Sequence, residues 1–128
     1  MNFFNYFSLF ALLLGGYFVA INISSLDTMV FSFTLQNGSI ISLLVSDILI
    51  ITGVIFTFIE VIKSATISNS AVESSFSILV AVAFLVLFLL YKDTSNKTFL
   101  ILTLMSFTEA IAGFIIAVNT ARRDITIE

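Results

Sequence analysis

Cysteine, histidine, proline and tryptophan are all missing from this chain of 128 residues. Without Cys there is no disulfide and no thiolate chemistry, and without Cys and His the usual ligands of zinc and haem are gone. Carboxylates and hydroxyls are the remaining reactive groups, so no metal site and no cofactor is expected. Without Pro the helices lack the breaks common in transporters, and without Trp any aromatic belt at a membrane surface is left to Tyr6, Tyr17 and Tyr91. Charge is scarce too: 10% of residues are Asp, Glu, Lys or Arg, against about 25% in a soluble domain. The net charge of −3 is spread over loops and ends, which excludes the basic footprint of a nucleic-acid binder.

What fills the chain instead is hydrocarbon. Hydrophobic residues make up 59% of it, and the mean hydropathy is +1.18. These values predict an all-α membrane protein. The expected architecture is an antiparallel bundle of four transmembrane helices with a β-hairpin between helices 1 and 2, in a single membrane domain over 1–128. The spans are expected at about 3–23, 46–64, 71–91 and 98–119, each long enough to cross a bilayer, with the hairpin at about 29–43.

The first segment is apolar apart from Asn5, Ser8 and Asn22. A cleaved signal peptide is the competing reading, but no Lys or Arg precedes the apolar run and Phe18-Val19-Ala20 is a poor cleavage site, so retention is expected. Ser8, Ala11, Gly15, Phe18 and Asn22 share a face, where glycine predicts a close helix contact. In the hairpin, Phe31, Phe33 and Leu35 alternate with Val30, Ser32 and Thr34. Asn37-Gly38 then reads as a two-residue type I′ turn, which would set Leu35 opposite Ile40 and Phe33 opposite Ser42.

Segment two opens on Ser46-Asp47, an acid placed to cap free amides in the first turn. Ser46, Ile50, Gly53, Thr57, Glu60 and Ser64 form one stripe. Lys63 stands three residues after Glu60 as an ion-pair partner, and Glu60 reads equally as a buried group or as an interfacial acid snorkelling to water. Ser70-Ala71-Val72-Glu73 has the spacing of a capping box and marks the third helix, whose small polar face is Ser70, Ser74, Ser77 and Ala81. The turn from Lys92 to Lys97 is so short that helices three and four must be antiparallel neighbours.

The fourth segment carries Glu109 at its midpoint. An acid at the centre of a span costs about 2.5–3.5 kcal/mol on insertion scales, so it is expected to face a partner or a water pocket. Ser106, Glu109, Gly113, Ala117 and Thr120 form its stripe, read as an interface. The candidate site residues, for binding a partner or exchanging a proton, are therefore Glu109, Ser106 and Gly113 on this helix and Glu60 and Thr57 on the second.

Lys63, Arg122 and Arg123 on the side of the termini, against Lys92 and Lys97 on the other, favour cytoplasmic ends. Depth counting at about 1.5 Å per residue then sets Glu60 about 7 Å from Glu109 toward the cytoplasm. No nucleophile and base lie at a common depth, so an enzyme is not expected. The expected role is a small integral membrane subunit or self-associating component of a larger membrane complex, its partners being the lipid bilayer and other subunits or copies of itself. The alternative is a proton- or cation-coupled transport oligomer using Glu109. A third reading is lipid or small apolar ligand binding between helices.

Several segments resemble an uncharacterised family of bacterial four-helix membrane proteins: Phe31-Ser32-Phe33-Thr34-Leu35, Ser46-Asp47, Phe58-Ile59-Glu60-Val61 with Lys63, and Phe99 to Met105 through Glu109, Gly113-Phe114 and Ala121-Arg122-Arg123-Asp124. The resemblance implies a multi-pass protein of the bacterial inner membrane and brings no activity with it. The first-helix Glu of small multidrug transporters has no counterpart here.

Overall fold

Among the described residues, four α-helices, one two-stranded antiparallel hairpin and a short 3₁₀ turn follow in the order α1 (Leu9–Ile23), β1 (Met29–Thr34), β2 (Ile40–Leu44), α2 (Val45–Thr66), α3 (Ser70–Leu90), the 3₁₀ turn (Lys92–Thr94) and α4 (Lys97–Ile127). The computed structural model describes residues 8–66 and 70–127, with the side chains of 64–74, 117, 120, 121 and 123–128 outside the description. The capping box of Ser70 and Glu73, the anchor Tyr6 and the start of the first segment fall outside the described residues. Among the described residues, two helices are long and apolar enough to cross a membrane, Val45–Lys63 with mean hydropathy 2.2 and Lys97–Ile116 with 2.1, while Leu9–Ile23 and Ser75–Leu90 are shorter apolar helices.

Three of the helices, α1, α2 and α4, begin where a side chain satisfies free amides. Ser8 caps α1 by accepting from Phe10 N. Asp47 reaches back to Leu44 N at 3.0 Å, the acidic half of a capping box at the head of α2. Asn96 caps α4 by accepting from Phe99 N at 2.9 Å. The turn between α3 and α4 is closed by hydroxyls: Thr94 donates to the carbonyls of Leu87 and Tyr91, and Ser95 to those of Phe88 and Tyr91. This satisfies the end carbonyls of α3 and turns α4 back against it.

The hairpin forms where expected, one residue out of the expected register. Thr34 pairs with Ile40, Phe33 with Ile41, Ser32 with Ser42 and Phe31 with Leu43, and a bulge at Val30 follows before Met29 meets Leu44. The loop has three residues rather than two. Leu35 O accepts from Gly38 N at 3.0 Å, Leu35 N donates to Ser39 O at 2.8 Å, and Asn37 Oδ1 accepts from Ser39 N. Only Gly38 has a positive φ, +89°, so Asn37 stays in the ordinary region and the type I′ geometry does not arise.

The core draws on all four helices: Phe10, Leu13 and Tyr17 of α1, Leu49 of α2, Val80 and Phe84 of α3, and Phe99 and Leu102 of α4. Phe84 links it, with ring centroids 6.1 Å from Phe10 and 5.2 Å from Phe99, and Phe99 in turn meets Tyr17 at 4.9 Å. Tyr17 is therefore a buried strut and not a surface anchor. Its hydroxyl donates to Asp93 O at 2.8 Å and accepts from Asn96 Nδ2 at 2.7 Å, tying α1 to the α3–α4 turn.

Glycine marks the close approach on α2, not on α1. Gly15 and Gly16 face outward with nothing near the position of a Cβ, so the expected close contact at these glycines is not made among the described residues. A Cβ on Gly53 would lie 2.8 Å from Met105 Sδ and 3.2 Å from Leu102 Cδ2. Gly53→Ala is expected to be close to neutral, because Met105 is flexible and Ala regains about 1 kcal/mol of helix propensity. Gly53→Leu is expected to cost about 1–3 kcal/mol through overpacking, read as loss of helical circular dichroism at lower denaturant in detergent micelles.

Candidate functional site

Each half of the bundle sends a carboxylate inward. Glu60 on α2 is fully buried and Glu109 on α4 is 2% exposed. Their depth relation follows from Gly53. Because α1 to α4 alternate in direction, α2 and α4 run the same way, and Gly53 sits against Leu102 and Met105. Seven residues further along α2 is Glu60, and seven beyond Leu102 is Glu109. The two acids thus share one level, a correction to the offset obtained from depth counting, which assumed that both helices enter the bundle together.

Glu60 is held at the start of α1. Its Oε1 accepts from Leu9 N at 2.9 Å and from Lys63 Nζ at 3.3 Å. A first-turn amide carries the partial positive charge of the helix N-terminus, so this acid meets both a dipole and a cation. Lys63 is itself buried at 7% exposure, which makes the pair an internal one and sets aside the snorkelling alternative. Glu60 Oε2 is buried without a hydrogen-bond partner among the described residues.

Glu109 is held by α3. Ser77 donates to its Oε1 at 2.9 Å, and Ser77 is buried as well. Ser106, one turn before, is fully buried with no partner for its hydroxyl among the described residues, and Gly113, one turn after, is buried. Thr57 stands apart from the acids. Its hydroxyl donates back to Gly53 O, and its side chain lines a groove of about 280 Å³ between α2 and α4 with Val54, Ile101, Leu104, Met105 and Thr108. Glu60, Ser106, Glu109 and Gly113 are therefore turned to the bundle interior, and Thr57 to its flank.

Two partners were missed from the sequence. The backbone of Leu9 was hidden because the first segment reads as an unbroken helix from residue 3, although Ser8 is a fair N-cap signal. Ser77 was legible as part of the polar face of α3, with nothing in the sequence to say which acid it meets. A second groove, of about 360 Å³, runs between α3 and α4 and is lined only by Ile78, Ala81, Phe107, Ala110, Ile111 and Phe114. It offers no polar group to orient a ligand.

No protein-family model, no curated protein and no solved structure matches this chain.

The two acids differ in what their loss leaves behind. Glu109→Leu takes the carboxylate from the Ser77 hydroxyl, an expected cost of about 1–3 kcal/mol, and Glu109→Gln, which still offers Ser77 an oxygen, is expected to recover most of it. Glu60→Leu removes the carboxylate facing a buried ammonium and is expected to cost more, about 3–5 kcal/mol. Chemical unfolding in micelles, followed by circular dichroism, ranks the three.

Proposed function

We propose that the chain is a four-span integral membrane protein serving as a small subunit or self-associating component of a membrane complex. The observation that carries this reading is an inside-out distribution of polarity. Glu60, Lys63, Ser77, Thr103, Ser106 and Glu109 are buried, while Ile51, Val54, Ile55, Phe58, Leu79, Leu89, Leu104, Ile111, Phe114 and Ile115 are exposed. Only 17% of the Val45–Lys63 window is buried inside the chain. The core helix of a soluble protein is mostly covered by its own fold, whereas lipid covers this surface at no cost.

The inward turn of the acids shapes the role. Glu109 faces Ser77 and supports the bundle from within, so contact with a partner falls to the outer apolar surfaces, among them the bare backbone at Gly15 and Gly16 of α1. A bacterial inner-membrane location with cytoplasmic termini fits the distribution of basic residues.

One observation favours transport as a second reading: two buried carboxylates at one level, with a buried hydroxyl beside them. Groups of this kind relay protons in membrane carriers.

Two measurements test these readings. In a four-span chain, cysteines introduced at Gln36 and Lys92 label from one side of the membrane with an impermeant maleimide, and one at Arg122 labels from the other; Arg122 reacting from the same side as Gln36 overturns four spans. Native mass spectrometry of the particle released by mild detergent is expected to give a mass above that of the single 14.1 kDa chain. A lone chain overturns the subunit role. A particle made only of copies of the chain brings transport forward, and proton flux in liposomes that Glu109→Gln abolishes would establish it.

A further inference from the structure

The pairing register sorts the hairpin into two unlike faces. Phe31, Phe33 and Leu35 of one strand lie on the same face as Ile41 and Leu43 of the other, because paired residues project to the same side. The opposite face carries Ser32, Thr34 and Ser42, with Ile40 among them. Among the described residues this apolar face is left largely open: Phe31 is 56% exposed, Leu35 42%, Phe33 39% and Ile41 37%, and every residue of β1 is exposed. Two strands alone are marginal in water, so an apolar face of this kind needs a covering surface to stay folded.

Where the hairpin is fastened identifies that surface. β2 ends at Leu44 and α2 begins at Val45, the first residue of a candidate span, with no linker between them. The first amides of α2 are bonded to the segment that leads into β1, Val45 N to Thr28 O at 2.9 Å and Ser46 N to Leu26 O at 3.1 Å. The hairpin base is thus fixed to the helix end at the level where the helix enters the bilayer. From residue 28 to residue 46 there is no Asp, Glu, Lys or Arg, the nearest charges being Asp27 and Asp47 at the two feet.

We infer that the hairpin lies on the membrane surface as an interfacial paddle, its Phe31, Phe33, Leu35, Ile41 and Leu43 face set into the lipid headgroup and upper acyl region and its Ser32, Thr34 and Ser42 face in water. This rests on the membrane-spanning reading of α2. An uncharged amphipathic ribbon with two phenylalanines fits the mixed polarity of that region, and it binds without any need for anionic lipid.

The absence of Trp gives a direct test, since a single introduced Trp is the only one in the chain. Phe33→Trp reports on the apolar face, Thr34→Trp on the polar face, and Leu104→Trp on the exposed side of α4. Each variant is reconstituted into phosphatidylcholine vesicles with brominated acyl chains. Phe33→Trp is expected to emit to the blue of Thr34→Trp and to be quenched several-fold more by bromines placed high on the acyl chain, with iodide quenching Thr34→Trp instead. Equal iodide quenching of the two overturns the proposal, because the hairpin then stands in water. A blue Phe33→Trp that neither iodide nor bromine reaches also overturns it, and points to a second copy or another protein over the face. Leu104→Trp separates the failures: if bromines quench it and not Phe33→Trp, the paddle alone fails, and if they quench neither, the membrane-spanning reading fails with it.

Discussion

Because apolar side chains cover the outside of this bundle as well as its core, burying them does little to decide how the helices pair. On the proposed membrane-spanning reading the drive to sequester hydrocarbon vanishes, and close packing with interhelical hydrogen bonds has to select the arrangement. The constraint from which the rest follows is therefore the contact at Gly53, where Leu102 and Met105 of α4 pack so closely that nothing larger than a methyl group fits. It sets the register of the two parallel helices, and that register brings Glu60 and Glu109 to one level. Once there, each acid finds its partner on a different helix, Leu9 N on α1 and Ser77 on α3. One close contact thereby organises four helices.

The opposite end of the bundle is fixed by neutral groups. Tyr17, Asn96 and the Asp93 carbonyl form a small hydrogen-bonded knot between α1 and the α3–α4 turn, with the Phe10, Phe84 and Phe99 rings filling the space between the two polar levels. An ionic level at one end and a neutral one at the other leave little freedom to slide one helix along another, since a shift of one turn would separate both sets of partners.

The parts legible in the sequence were those written in local pattern. Long apolar runs located the four helices, alternation and Asn37-Gly38 located the hairpin, and Asp47 announced the start of α2. What depended on which faces meet was not legible. Asn37-Gly38 supports either a two-residue or a three-residue loop, and the choice turned on Asn37 Oδ1 accepting from Ser39 N, a contact of which the dipeptide gives no sign. Gly15 and Gly16 were read as the close contact when Gly53 makes it, because glycine permits approach from any side and the neighbour decides. Tyr17 was read as a lipid anchor because a tyrosine near the end of an apolar helix fits either role, and only the position of Asn96 distinguishes them. Glu60 was balanced between water and the interior until the amide of Leu9 gave it a second partner. Ser77 was noticed as polar and left without an acid. In each case residue type gave the capacity and tertiary geometry gave the use.

The corrected hairpin register has a consequence for how the chain meets its surroundings. In the expected register Phe33 would have faced Ser42 and Leu35 would have faced Ile40, which also gives one largely apolar face but leaves Ile41 and Leu43 with Ser32 and Thr34 on the other. A slip of one residue exchanges every pair, and it gathers Phe31, Phe33, Leu35, Ile41 and Leu43 on one side. The third loop residue, Gly38 at φ +89°, produces that slip. A single glycine in the left-handed region thus decides which residues of β2 stand with Phe31 and Phe33. With the bonds from Val45 and Ser46 holding its base to α2, an amphipathic ribbon cannot turn its apolar side to the surface without reference to the helix. On the interfacial placement proposed for the hairpin, its depth and the tilt of α2 are one mechanical variable, so a lipid surface that draws the hairpin deeper also moves the helix that carries Glu60.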